Sequence, residues 1–190
     1  MRFSKLILGS ASPRRQELLR SIWFGDLDIV KSVKDEIYPS HLPASEVPIW
    51  LSKLKSDDLS ENVRLNSELL ITADTVVILN GEILGKPKST EDAIVMLQKL
   101  SGKSHTVVTG VTLRTIEHSL SFSDQTEVHF HNLSDKDISF YVENYNPVDK
   151  AGAYGVQEFI GMIGVKRMNG CFYNVMGLPT SMVYQKMKEI

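Results

Sequence analysis

Cysteine is nearly absent from this sequence: Cys171 is the only one in 190 residues. A single thiol excludes an internal disulfide framework and any cysteine-rich metal site, and it fits a reducing compartment. Long apolar runs are missing as well. No stretch of 18 apolar residues occurs, so no membrane span is expected. The opening "MRFSKLILGSASPRR" turns polar after three apolar residues, unlike a secretory leader. An excess of one charge is also lacking: 21 Lys and Arg against 23 Asp and Glu leave −2, which gives no basis for a general nucleic-acid surface. Neither GxGxxG nor GxxxxGK[ST] is present, so a kinase- or motor-type nucleotide site has no support. The histidines show no HExxH or triad-like arrangement. His129 and His131 share one side of an expected strand, as a metal pair or as a solvent-facing pair, and His105 stands alone at a strand start. The expectations are a cytoplasmic protein with no membrane and no nucleic-acid polymer as partner.

What is present suits a folded core. With 42% hydrophobic residues, the chain fits a single α/β domain over 1–190, or two small lobes sharing a cleft. Leu6–Leu8 reads as a short buried strand. Ser12 and Pro13 then open a helix as N-cap and first helical residue. A strand is expected around Ile29–Val33. A helix is expected over residues 45–65, capped by Ser45, with Val47, Leu51, Leu54 and Leu65 on one face. "LLITADTVVILNGEILGKP" carries two apolar runs around Asn80-Gly81, a hairpin turn of the primed type. "STEDAIVMLQKLSG" is a helix with a capping box from Ser89 to Asp92 and a stripe of Ala93, Met96, Leu97 and Leu100. Two β-rich runs follow, "HTVVTGVTLR" and "LSFSDQTEVHFH". "SDKDISFYVENYNP" is a further capped helix bearing Ile138, Tyr141, Val142 and Tyr145 on one side. After the glycine-rich "DKAGAYGVQEFIGMIG", a strand pair is expected up to Val175, and a last helix from Pro179. Strands and helices interleave without strict alternation, which implies a mixed twisted sheet flanked by helices.

Several residues carry chemistry. Arg14 and Arg15 sit in the first turn of a helix, where the helix dipole disfavours cations. Two readings fit: they point to solvent, or an anion lies at the helix start with Ser10 and the neighbouring small residues letting it approach. Asp74, where an apolar strand emerges, is a turn former or a carboxylate reaching a cleft; Thr75 beside it offers a hydroxyl. Glu36 is a loop charge or a second carboxylate. Two carboxylates from separate segments are what a divalent cation with oxygen ligands requires, phosphates completing its shell. Lys55 and Lys86 are surface lysines unless they converge with the arginines. Gln157 both donates and accepts, which suits reading the edge of a base.

Taken together, "SASPRR", "DE" at 35–36, "ADTVV" followed by "LGKP", "LSGKSHTVVTGV", "DKAGAYGVQ" and "NVMGLP" resemble the Maf-like (septum-formation) proteins, a family of nucleoside triphosphate pyrophosphatases. The resemblance runs nearly end to end. It implies a fold similar to inosine-triphosphate pyrophosphatases, with two lobes around a central cleft, commonly as a homodimer. It implies hydrolysis of a nucleoside triphosphate to the monophosphate and diphosphate with Mg²⁺ or Mn²⁺. Position by position, Asp74 matches the proton acceptor, and Glu36 an acidic residue of the site, the two together as metal ligands. Ser10, Arg14, Arg15, Lys55 and Lys86 match phosphate-handling positions. Arg14, Thr75 and Gln157 match positions of substrate choice. Thr75 and "AYGVQ" go with the branch acting on dTTP and UTP rather than on 7-methyl-GTP, with removal of modified pyrimidine triphosphates as a house-cleaning role. The alternative is a non-hydrolytic nucleotide sensor linked to cell-division arrest. Where members usually carry Gly after the Gln, this chain has Glu158.

Overall fold

A computed structural model of the chain describes residues 3–190. Seven strands form one mixed sheet flanked by helices: β1 (Lys5–Gly9), β2 (Asp26–Val30), β3 (Glu68–Leu79), β4 (Glu82–Leu84), β5 (Ser104–Arg114), β6 (Ser119–Phe130) and β7 (Val165–Asn169). The order across the sheet is β2-β1-β3-β5-β6-β7, with β4 paired to β3. The helices are α1 (Pro13–Ile22), α2 (Val47–Ser60), α3 (Thr90–Leu100), α4 (Asp135–Tyr145), α5 (Phe159–Gly164), α6 (Phe172–Met176) and α7 (Thr180–Glu189). None is long and apolar enough to cross a membrane. The chain divides into two compact units. Unit 1 comprises 1–74, 109–124 and 177–190; unit 2 comprises 75–108 and 125–176.

In unit 1, β1 is fully apolar at Leu6 and Leu8 and runs parallel to both β2 and β3. Ile7, Leu59, Leu65 and Leu70 make a small core beneath α2. The strand expected at Ile29–Val33 lies three residues earlier. Its bounds follow the partner, since Lys5–Gly9 pairs residue for residue with Asp26–Val30 and Lys5 Nζ meets Asp28 Oδ2 at 2.6 Å across the two strands. Val33, counted as strand in the sequence reading, is left 91% exposed. The helix expected over 45–65 is a 3-10 turn at Ala44–Glu46 followed by α2, and Ser45 does not cap it. Its buried face carries Leu51, Ser52, Ser56 and Leu59 rather than Leu54.

In unit 2, β4 turns back on β3 through Asn80 and Gly81, whose φ values of 52° and 84° are those of a type I′ turn. Ser89 caps α3 by accepting from Asp92 N–H, and Ser134 caps α4 by accepting from Asp137 N–H. Leu97 and Leu100 of α3, Ile138 and Tyr141 of α4, and Val107, Val128 and Ile160 fill one core. The strand pair expected up to Val175 is a helix, a strand and a helix: α5, β7 antiparallel to β6, and α6. The apolar run around Val175 is helical because Asn174 is drawn inside, its amide donating to Val107 O at 3.0 Å and Thr126 Oγ1 at 2.9 Å.

Candidate active site

The residues that converge in unit 1 come from one face of β3 and one face of α2. Side chains two apart on a strand share a face, so Thr72 and Asp74 project together. Residues three and four apart on a helix do likewise, so Ser52, Lys55 and Leu59 line up along α2. Thr72 Oγ1 donates to Ser52 O at 2.7 Å. One step along, Lys55 Nζ lies 2.6 Å from Asp74 Oδ1 and 2.7 Å from Glu36 Oε1. Glu36 arrives from the loop after β2. Two carboxylates and one ammonium thus meet at a single point.

Gly110 of β5 explains how close α2 comes to the sheet. A Cβ at that position would stand 2.3 Å from Pro48 C and Ile49 N, inside the helix backbone. Only hydrogen fits there.

Asp74 is 8% exposed, and burial raises its pKa above the ordinary carboxylate range despite Lys55 and Arg15, which pull the other way; Glu36 adds to the rise. Arg15 is held by protein oxygens. Its Nε donates to Gly177 O at 2.8 Å, and its Nη1 to Ala73 O at 2.9 Å and Ser10 Oγ at 3.2 Å. Burial lowers the Arg15 pKa, and the Asp74 charge opposes that. The first turn of α1 holds no acidic residue, and Ser12 makes no side-chain cap there. Instead, the cation of Arg15 is matched by two carbonyls, a buried hydroxyl and the field of Asp74 and Glu36. Because Ala73 O is the carbonyl next to Asp74, Arg15 also fixes the strand backbone that carries the carboxylate.

Arg14, half-buried, stands beside Arg15 in the first turn of α1 in unit 1, and Thr75, Lys86 and Gln157 lie in unit 2. Thr75 follows Asp74 on β3, half-buried, and strand alternation turns it to the opposite face. Lys86 is exposed just past β4. Gln157 is partly buried, with its Oε1 shielded from solvent and without a hydrogen-bond partner. His105 is buried and bonded through Nε2 to Tyr154 Oη at 2.7 Å; burial lowers its pKa to about 4, so the ring is neutral and structural. His129 bonds Ser104 Oγ and lies 3.2 Å from Glu127, and His131 falls beyond the end of β6. Two buried residues of unit 2 make polar contacts to which the sequence reading assigned nothing: Tyr141, placed on one side of its helix, and Lys150, which is 6% exposed. A lysine between an aspartate and a glycine-rich run is the signal that was available for the second.

The carboxylate pair tests what cation would suit. Glu36 and Asp74 present hard oxygen donors that already converge on one positive charge. Among the described residues no group of three His, Cys, Asp or Glu side chains is placed to enclose a metal. The set therefore fits a divalent ion that takes most of its shell from water and phosphate, the habit of Mg²⁺. Chemically, a buried carboxylate of raised pKa beside clustered cations suits proton transfer next to a polyanion.

The chain is similar to known proteins over nearly its whole length. A relative from Bacteroides thetaiotaomicron named dTTP/UTP pyrophosphatase is 48% identical over 188 residues, covering 98% of this chain and 96% of its own. One of the same name from Porphyromonas gingivalis is 46% identical over 189 residues, covering 97% and 94%. Among solved structures, a HAM1 protein from Coxiella burnetii aligns with a TM-score of 0.52 at 15% identity, covering 98% of this chain and 99% of its own. The Staphylococcus aureus Ham1 protein gives 0.51 at 17%, covering 97% and 98%. At such identities these two speak for the fold alone. The profile of the Maf-like protein family matches residues 5–190, and the chain belongs to that family.

Proposed function

We propose that the chain is a nucleoside triphosphate pyrophosphatase that hydrolyses dTTP and UTP to the monophosphate and diphosphate. The observation that carries this reading is the buried Asp74 carboxylate, 2.6 Å from Lys55 and with its pKa raised. The names of the relatives support the substrate class.

In this reading Asp74 accepts a proton from the water that attacks the α-phosphorus, as the bond to the bridging oxygen of the β-phosphate breaks and the diphosphate leaves. A general base works best with a pKa near the operating pH, and burial moves Asp74 that way. Arg14 and Lys55 bind phosphate oxygens and tighten as charge grows on the leaving group. Arg15 serves with Ser10 at the helix start while holding the Asp74 strand. Glu36 and Asp74 would hold a divalent ion, Mg²⁺ or Mn²⁺, which when bound supplies charge neutralisation at the phosphates. Lys86 adds a phosphate contact, and Thr75 and Gln157 choose the base.

The test is a panel of canonical and modified nucleoside triphosphates assayed for diphosphate release with Mg²⁺ and with Mn²⁺. Highest kcat/KM for dTTP and UTP is the expected result. Purine preference overturns the substrate assignment, and tight binding with no diphosphate formed overturns hydrolysis in favour of a sensor.

A further inference from the structure

We infer that Glu158 is a positioning residue for base selection, locking the 149–158 segment that presents Gln157. The inference rests on the proposed role of Gln157 and extends it to residues to which that reading gives no part.

The segment is tied at several points within unit 2. Tyr141 Oη, from α4, donates to Glu158 Oε2 and accepts Gly155 N–H at 3.0 Å. The other carboxylate oxygen, Oε1, lies 3.3 Å from Lys150 Nζ, which also bonds Asp149 Oδ1 at 2.8 Å. Glu158 N–H closes back on Gly155 O at 3.0 Å. Lys150 lies at one end of the run and Glu158 at the other, and one carboxylate joins them. Tyr141 is 0% exposed and stacked on Tyr145 at 5.1 Å, so the anchor itself cannot move far.

This matters for what lies between the ties. Gln157 sits on the residue before the carboxylate, and its buried Oε1 has no hydrogen-bond donor. A buried acceptor left without a donor costs free energy that a ligand N–H can recover. Uracil and thymine carry an imide N–H at the ring position where cytosine has a bare nitrogen. An amide held still discriminates between these bases; one free to rotate presents its NH₂ to cytosine instead. Glu158 supplies the stillness, because charge-assisted hydrogen bonds are the stronger and more directional kind.

The experiment measures kcat and KM for UTP, dTTP and CTP with the full chain and its variants, alongside melting temperature. Glu158→Ala is expected to raise KM for UTP and dTTP about tenfold with kcat nearly unchanged, and to lower the UTP-to-CTP preference by a similar factor. Tyr141→Phe, which removes one oxygen, should reproduce the loss of preference, and Glu158→Gln, which keeps an acceptor for Tyr141, should recover much of it. Should Glu158→Ala fail to fold, Tyr141→Phe carries the decision. An equal fall in kcat for all three substrates, or an unchanged preference in both variants, overturns the inference. Gln157→Ala separates the two levels. If it abolishes the preference while Glu158→Ala and Tyr141→Phe leave it intact, the locking role alone is wrong; if Gln157→Ala leaves it intact, base reading by Gln157 fails and the inference falls with it.

Discussion

At the scale of single residues, Asp74 is a group whose ionisation the fold opposes. Burial outweighs the two cations beside it, so its pKa in the folded chain stands above the unfolded value. The sign follows from proton linkage. Between the unfolded and folded pKa values the native state binds more protons, so stability falls as pH rises through that window and stays lower above it. Asp74→Asn removes this cost at neutral pH, while Lys55 keeps Glu36 as a partner. The variant should melt at the same or a higher temperature than the native chain, and lose about 10²–10⁴ in kcat if Asp74 is the base. For the native enzyme, the acidic limb of kcat/KM against pH should lie above the usual Asp value of about 3.9. A limb at or below that value removes Asp74 from proton transfer. Arg15 and Asp74 stood out in the sequence because a cation in the first turn of a helix and a charge within an apolar strand are locally anomalous, whereas Glu36 and Lys55 read by themselves as ordinary surface charges. The partners did not stand out. Nothing near Arg15 in sequence announces Gly177 O or Ala73 O, and that side chain spends its donors on protein oxygens before any phosphate arrives.

At the scale of elements, placement of α2 depends on the absence of a side chain. Gly110→Ala puts a methyl 2.3 Å from the backbone of the first turn of α2, where no rotamer change can relieve it. The helix must shift, at a cost of about 1–3 kcal/mol or a drop in Tm of roughly 3–10 °C. Lys55 rides on that helix, so kcat/KM should fall by at least about tenfold beyond what the lost stability explains. Calorimetry and kinetics on the one variant check both; unaltered activity means that the spacing of α2 from the sheet is irrelevant to Lys55. The same contrast explains which elements were readable. The β3–β4 hairpin and α3 were, because Asn80-Gly81 and Ser89-to-Asp92 encode them within a few residues. The start of β2, the true buried face of α2 and the helical turn at α6 were not. Each is decided by a distant partner: β1 for the first, Thr112 and Thr72 against Ser52 for the second, Val107 and Thr126 against Asn174 for the third. Tyr141 was placed on the correct face of α4, but nothing near it in sequence announces Glu158 and Gly155 as partners of its hydroxyl.

At the scale of the whole molecule, the chain passes from one compact unit to the other at Asp74–Thr75, Val108–Thr109, Asp124–Gln125 and Met176–Gly177. No continuous segment corresponds to either unit, which is why no linker composition marks a boundary. Three of those passages fall inside β3, β5 and β6. Both units have apolar cores of their own, built on Leu70 and Leu59 in one and on Leu97, Tyr141 and Ile160 in the other. Stability is therefore assigned to burial and not to a bound ion. Proteins whose fold depends on metal enclose it with three or four protein ligands. Here Lys55 already bridges the two carboxylates that would hold one. Chelation with EDTA should consequently stop diphosphate release while leaving the melting curve where it was, and Mg²⁺ or Mn²⁺ should restore turnover without refolding. A large fall in Tm on chelation contradicts the assignment, because it means that the ion, rather than the ammonium of Lys55, is what holds Asp74 and Glu36 together.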